Sequence, residues 1–256
     1  MTTQNDKARL FHSLHVRGEP LVLFNAWDAG SARAVAEADA RAIATGSWSV
    51  AAANGFKDGE CLPLAFALDN LRRIVAAVEL PVTIDLESGY GETPGEVGAT
   101  VAAALAAGAI GCNLEDSFPA DGRLRDTGEQ AARLAAARRA AQDAGVAMFI
   151  NARTDVFFQK PAEAHDMAMV EDALERARAY ADAGADGLFV PGVVAAPLIG
   201  RLAEASPLPV NVMAMPGVPG RARLAVLGVA RISHGPGPYR GAMHWLTEAA
   251  RAAMAG

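Results

Sequence analysis

Cysteine is almost missing from this chain: Cys61 and Cys112 are its only two, which excludes a disulfide framework and any cysteine-based metal spacing. An excess of basic residues is missing as well. Lys and Arg number 23 against 29 Asp and Glu, a net charge of −6, so there is no basic face for nucleic acid. The same balance disfavours anionic ligands unless a metal or local arginines reverse the field in a site. Long apolar runs are also lacking. Val101–Ile110 is alanine-rich and broken by Gly108, too short and too weakly apolar to span a bilayer. Met1–His15 has no apolar core of the kind a secretory signal requires. Together these absences predict a reduced, cytoplasmic protein with no membrane and no nucleic-acid partner.

What is present is a repeated pattern of a short apolar strand followed by an alanine-rich helix. Strands are expected at 21–24, 42–44, 82–84, 110–114, 147–150, 187–190, 210–213 and 230–233. Helices are expected at 31–38, 63–78, 94–107, 129–144, 169–183, 195–205, 220–227 and 239–254. Eight strands alternating with eight helices read as an α/β protein, a (β/α)8 barrel of the TIM type filling residues 1–256 as one domain. An internal echo supports the alternation. Ala106 to Gly111 resembles Ala181 to Gly187, and in each a glycine ends a helix in a left-handed cap before the next strand. The rival, an open doubly wound sheet, would want Gly-x-Gly-x-x-Gly after an early strand, and none is there.

Acidic residues gather where these strands end. Ile84 runs into Asp85-Leu86-Glu87 and a glycine turn, Ser88-Gly89-Tyr90-Gly91. Strand alternation puts Asp85 and Glu87 on one side. The next strand ends in Glu115-Asp116, and the one after in Asn151-Ala152-Arg153-Thr154-Asp155. The C-terminal ends of barrel strands are where such folds carry chemistry. Asp85, Glu87 and Glu115 are hard oxygen donors with no His or Cys beside them, which suits Mg²⁺ or Mn²⁺. The competing reading is barrel-mouth charges paired with Arg153 or lysines. Arg153 offers a planar guanidinium for a substrate carboxylate, or a structural ion pair with Asp155 or Glu115. Asn25 and Asp28 are expected to cap the first helix. Arg133, Arg138 and Arg139 read as a solvated helix face. Asn211 faces either the pocket or the core, Tyr90 either donates a hydrogen bond or packs, and His234 is taken as structural.

Taken together, Phe24-Asn25-Ala26-Trp27-Asp28-Ala29-Gly30-Ser31-Ala32, Thr45-Gly46-Ser47-Trp48-Ser49 and Asn54 to Glu60 carry a resemblance. So do Asp85 to Gly91, Asn113 to Asp116, Asn151 to Asp155 and Val210 to Pro216. In that order and spacing the chain resembles the isocitrate lyase/phosphoenolpyruvate mutase superfamily along nearly its whole length. The resemblance implies a phosphoenolpyruvate/pyruvate-type barrel, dependent on Mg²⁺ or Mn²⁺, that binds a small α-oxo or 2-hydroxy carboxylate and makes or breaks C–C or C–P bonds. It implies that Gly46, Ser47 and Trp48 bind the oxo-acid carboxylate, with Trp48 as pocket wall or core filler. It implies a substrate role for Asp85, Arg153 and Asn211, a metal held by Asp85, Glu87 and Glu115, and a catalytic role for Arg153 and Asp58. Asp85 is the direct ligand in this reading, with Glu87 and Glu115 acting partly through water. A homo-oligomer, dimer or tetramer, is implied too.

Two departures bear on the reaction. Lyases of the superfamily carry Lys-Lys-Cys-Gly-His in the loop after the Glu-Asp strand, and its cysteine is a general acid/base. Here Ser117 to Gly128 holds neither cysteine nor histidine. Many members have Asp-x-Asp where this chain has Asp85-Leu86-Glu87. The chain also ends soon after its eighth helix, where many relatives have longer segments that exchange helices between subunits. The pattern is most similar to the less-characterised branch near oxaloacetate decarboxylase-like and phosphonopyruvate hydrolase-like members. It implies a carbon–carbon lyase or decarboxylase. The alternatives are C–P chemistry, for which Arg123 or Arg125 would contact a phosphonate, and a non-catalytic oxo-acid binder.

Overall fold

The computed structural model describes residues 2–255. Its strands are β1 (Leu21–Leu23), β2 (Ile43–Ala44), β3 (Val82–Asp85), β4 (Gly111–Glu115), β5 (Phe149–Arg153), β6 (Gly187–Val190), β7 (Val210–Met213) and β8 (Arg231–Ser233). All eight lie parallel in one sheet, ordered β1-β8-β7-β6-β5-β4-β3-β2. Between β1 and β2 the ring is closed by a single parallel bridge, Ala26 to Thr45, with Ala26 N–H donating to Ala44 O at 2.8 Å. The architecture is therefore the expected TIM-type barrel, nearly closed.

Ten α-helices are described: α1 (Gln4–Ser13), α2 (Ala29–Glu37), α3 (Ser47–Ala53), α4 (Leu64–Ala77), α5 (Pro94–Ala106), α6 (Thr127–Asp143), α7 (Met167–Asp182), α8 (Ala196–Ala205), α9 (Arg221–Val226) and α10 (Gly237–Ala255). Two of them, α1 and α3, go beyond the sequence expectation. Thr3 and Asp6 form a capping box that starts α1. The helix then lays Ala8, Phe11 and Leu14 against Leu21, Leu23, Ile110 and Phe149, plugging the N-terminal end of the barrel. Burying a side chain such as Phe11 stabilises by about 1.5–3 kcal/mol, enough to hold a helix with little periodicity of its own.

Asp28 caps α2 as expected, through a reciprocal box with Ser31. Asn25 does not cap. Its amide donates to Thr45 O at 2.8 Å, and its carbonyl accepts from the N–H groups of His234 and Gly235 at 3.0 and 2.9 Å. One side chain thus stitches the β1–β2 seam to the end of β8, a job only the closed ring creates. The glycine caps are as expected, with Gly108 at φ +99° and Gly184 at φ +95°.

The solvated reading of the α6 arginines is overturned for two of the three. Arg133 is 1% exposed and donates to the carbonyls of Ser88, Gly91 and Glu92 at 2.7–2.8 Å. Arg138 bonds Gly184 O, Met148 O and the Asp186 carboxylate. Only Arg139 is exposed. Buried loop carbonyls need donors, and a long cationic side chain from the neighbouring helix reaches them. Among the described residues no helix is long and apolar enough to cross a membrane.

Candidate active site

Register builds the site. Asp85 is the ladder partner of Asn113, and Glu115 is the ladder partner of Arg153. Cys112 and Leu114 pack outward into the helix layer, so the alternate residues Asn113 and Glu115 turn into the barrel. Arg153 Nη1 meets Glu115 at 2.7 Å, while Nε and Nη2 bond both oxygens of Asp155 at 2.7 and 3.0 Å. Ser117 Oγ donates to Asp155 at 2.7 Å and reaches Glu115 at 3.3 Å. Burial works against the charge on Arg153, but Glu115 and Asp155 outweigh it and hold its pKa above the ordinary arginine value. Burial raises Glu115 well above its usual range, with Arg153 opposing and the nearby carboxylates Asp155, Asp85 and Glu87 adding to the rise.

Glu87 faces a different set of partners. The residue sits in the left-handed region at φ +51°. Its Oε2 accepts the N–H groups of Gly59 and Glu60 at 2.8 and 2.6 Å, and its Oε1 accepts the Tyr90 hydroxyl at 3.0 Å. Burial and the repulsion of Asp58 and Asp85 outweigh these donors and push its pKa up to about 7. Glu87 therefore latches the loop between α3 and α4, which carries Asp58, onto the barrel rim. Glu60 adds to the latch, accepting from Ser88 Oγ at 2.7 Å and Tyr90 N–H at 2.8 Å. Asp58 is exposed as a whole residue, yet partial burial and then Asp85 raise its carboxyl.

Asp85 is held by backbone. Ser47 N–H donates to its Oδ2 at 3.2 Å, and its own N–H donates to Thr45 Oγ1 at 3.0 Å. Gly46 is buried at the start of α3, with Ser47 and Trp48 half-buried beside it. Trp48 stands under the Arg240 guanidinium at 4.4 Å, with Tyr239 edge-on at 6.0 Å, so the first turn of α10 covers it. Asn211 is turned into the barrel interior, exchanging hydrogen bonds with Ser233 Oγ at 3.1 and 3.2 Å. The structure thus groups Asp58, Asp85, Glu87, Glu115 and Arg153 with Gly46 and Ser47, while the Asn211 amide pairs with Ser233 inside the barrel.

Sequence reasoning missed Glu60, Ser117 and the Asp116 strut. Asp116 is fully buried, accepting from Tyr180 Oη at 2.7 Å, Asp155 N–H at 2.9 Å and Arg176 Nη1 at 3.2 Å. It fixes the segment that carries Asp155. The only available signal was a second acid beside Glu115 facing the opposite side of the strand.

Among the described residues no three His, Cys, Asp or Glu side chains converge tightly enough to cage a metal unaided. Mg²⁺ does not need such a cage, since it keeps several waters and uses one or two protein carboxylates. The donor set fits that style of binding. Among the described residues the Asp85 carboxylate accepts only two backbone N–H groups, at 3.2 and 3.4 Å, and carboxylates with raised pKa values lie around it.

The sequence profile described as phosphoenolpyruvate phosphomutase matches residues 11–254. The chain belongs to that family. It thereby sits in the isocitrate lyase/phosphoenolpyruvate mutase superfamily, as its motifs indicated, a group of enzymes that holds both lyases and C–P enzymes. An uncharacterized protein of Mycobacterium tuberculosis is 35% identical over 246 residues, spanning 96% of this chain and 89% of its own. The 2-methylisocitrate lyase of Salmonella typhimurium is 29% identical across 78% of this chain and 67% of its own length. A candidate phosphonomutase from Burkholderia cenocepacia J2315 superposes with a TM-score of 0.95 at 61% identity, covering 99% of this chain and all of that one.

Proposed function

We propose that this family member is a Mg²⁺- or Mn²⁺-dependent lyase or decarboxylase, a single barrel domain that cleaves a C–C bond in a small α-oxo or 2-hydroxy carboxylate by way of an enolate. The observation that carries this reading is Arg153, pre-set by Glu115 and Asp155 at the same rim as Asp85. Asp85 would hold the ion directly, with Glu87 and Glu115 in contact through water. The bound ion would supply positive charge against the oxygen on which negative charge develops. Gly46 and Ser47 would receive the substrate carboxylate, and Arg153 would stabilise the developing charge from the other side. Loss of CO₂ from a 3-carboxy-2-oxo acid needs no strong base, because the bonding electrons pass to the carbonyl oxygen. Asp58, on its latched loop, is our assignment for the acid that returns a proton to carbon.

The loop from 117 to 126 supports decarboxylation over aldol-type cleavage, since it brings no thiol. A C–P reading draws on the candidate phosphonomutase relative. In this chain Arg125 is committed to Glu129 and stacked over Phe118, and Arg123 pairs with Asp121 at the surface, so neither points to a phosphonate. A panel of oxaloacetate, phosphonopyruvate, isocitrate and 2-methylisocitrate with Mg²⁺ tests the proposal. Oxaloacetate turnover to pyruvate is expected. General acid catalysis contributes about 10²–10⁴-fold, so the two isocitrates should be slower by that order. Phosphate release from phosphonopyruvate in preference to pyruvate formation would replace this reading with the C–P one. Oxo-acid binding with no turnover of any compound would make the protein a binder.

We further propose a homo-oligomer, dimer or tetramer, in a reduced cytoplasm that keeps Cys61 and Cys112 as thiols. α10 has one buried residue, Pro238, while Trp245 and Leu246 stand exposed on it. Beside its root, α2 and α9 leave a largely apolar groove of about 1220 Å³ lined by Phe24, Trp27, Val35 and Ala225. A second copy's α10 suits that groove.

A further inference from the structure

The other arginines that are buried or half-buried at the barrel have a carboxylate or several close carbonyls as partners. Arg153 has Glu115 and Asp155, Arg176 has Asp116, Arg125 has Glu129, and Arg133 has three carbonyls. Arg231 on β8 is the exception. It is 1% exposed, inside a barrel whose interior is ordinarily filled by apolar layers. Its Nε lies 3.2 Å from Ser233 Oγ and its Nη2 3.4 Å from Asn113 Oδ1, both neutral oxygens at long range. Nη1 has no acceptor, and no carboxylate lies within 4.0 Å of the guanidinium, among the described residues. A buried charge without a counterion is strongly unfavourable.

The charge lies between two things. On one side its field reaches His15 of the segment after α1, whose ring stacks on Phe149 at 4.0 Å. Burial, with Arg231 as the next cause, pushes His15 down to about 3, so no second cation forms there. Toward the open end it bonds Asn113, the ladder partner of Asp85, and Asp85 is the one group that holds the charge on. Burial brings Arg231 down to about 9, which still leaves it charged at neutral pH. The barrel therefore keeps a fixed positive charge behind a rim of carboxylates and gives it no partner of its own.

We infer that Arg231 is a specificity-determining residue: an electrostatic floor that draws anionic ligands into the barrel mouth and weakens the mouth's hold on cations. This rests on the oxo-acid reading above, and it explains how a protein of net charge −6 with an acidic rim takes a carboxylate. Charge alone, without contact, makes the effects on anion and cation opposite in sign.

The test uses calorimetry on the full chain. Oxalate is titrated at saturating Mn²⁺, and Mn²⁺ is titrated in the absence of oxalate. Arg231→Met should lose roughly tenfold in oxalate affinity, about 1.4 kcal/mol, while Mn²⁺ affinity rises. Arg231→Lys should restore most of the oxalate affinity. Asn113→Asp supplies the missing counterion without removing the arginine, so it should raise the melting temperature yet weaken oxalate binding. A structural role predicts that oxalate and Mn²⁺ affinities per folded molecule move together or not at all, and either result overturns the inference. Failure of the wild-type protein to bind oxalate would instead overturn the oxo-acid reading itself.

Discussion

Tyr90 donates its hydroxyl hydrogen to Glu87 Oε1 at 3.0 Å, and both residues occupy left-handed backbone, at φ +52° and +51°. Two non-glycine residues in that region are strained unless their surroundings over-determine them. Here the Glu60 carboxylate, the Gly59 and Glu60 N–H groups and the Arg133 clamp do so. Burial first, then Glu87, raises the Tyr90 pKa, so the hydroxyl stays protonated and serves as a donor.

Tyr90→Phe removes one of the three donors on Glu87. A hydrogen bond is worth about 0.5–1.5 kcal/mol, and about 1.5–3 kcal/mol where Glu87 is ionised. Amide exchange at Gly59 and Glu60 should accelerate more than at β3, and turnover should fall as the Asp58 loop loosens. Unchanged exchange at those two amides would show that the latch does not depend on Tyr90.

Asp85→Ala should abolish stabilisation by the metal. A ligand at 100-fold excess over its Kd stabilises by about 2.7 kcal/mol, which wild-type protein should display as a higher melting temperature with Mg²⁺ or Mn²⁺. Calorimetric binding by the Ala variant equal to wild type would place the ion elsewhere.

Arg153→Lys keeps the charge and loses the planar two-point contact. At about 1.5–3 kcal/mol per charge-assisted bond and ~1.4 kcal/mol per decade, pyruvate or oxaloacetate affinity should fall by roughly ten- to a hundredfold. Metal binding should change much less. A lower melting temperature with unchanged ligand affinity would reduce Arg153 to an ion-pair strut for Glu115 and Asp155.

His15 predicts a pH dependence. Its pKa falls from the ordinary 6.5 to about 3 on folding. Above pH 6.5 both states are neutral there and the group contributes nothing. As pH falls, the unfolded chain takes up the proton first, so stability drops from about 6.5 down to about 3, by at most ~1.4 kcal/mol per pH unit. Glu87, raised to about 7, changes stability in the opposite sense over the same interval, so the His15 loss is read as a difference between two proteins. Urea melts at pH 7 and pH 5.5 should show wild type losing more stability, or gaining less, than His15→Phe. Parallel slopes would mean that the His15 ring is solvated in the native state.

The barrel was legible because periodicity and strand-end chemistry repeat along the chain, and all eight strands lie within a few residues of their expected places. The short helices were not. α3 has only seven residues, too few for a helical period to stand out in Ser47–Ala53. α1 is held by Phe11 beneath the barrel, a contact across more than a hundred residues that no local pattern records. In the site, Asp85, Arg153 and Asp155 were readable because their partners are neighbours in the chain or across one ladder. The Glu87 latch, the Arg133 clamp and the Asn25 stitch join segments from different repeats, so their meaning exists only once the ring is formed. Arg231 carries no signal of its own in a short strand, since nothing local distinguishes an inward guanidinium from an outward one.

The ring also has a weakest link. Seven of its eight joints are ladders, and the eighth is one bridge reinforced by the Asn25 amide. Mechanically the barrel is a strip whose two ends are buttoned together, and the button lies beside Gly46 and Ser47. Native-state breathing is then expected to be directional: the cylinder would unzip beside Gly46 and Ser47, and a ligand bound at that rim would fasten the strip.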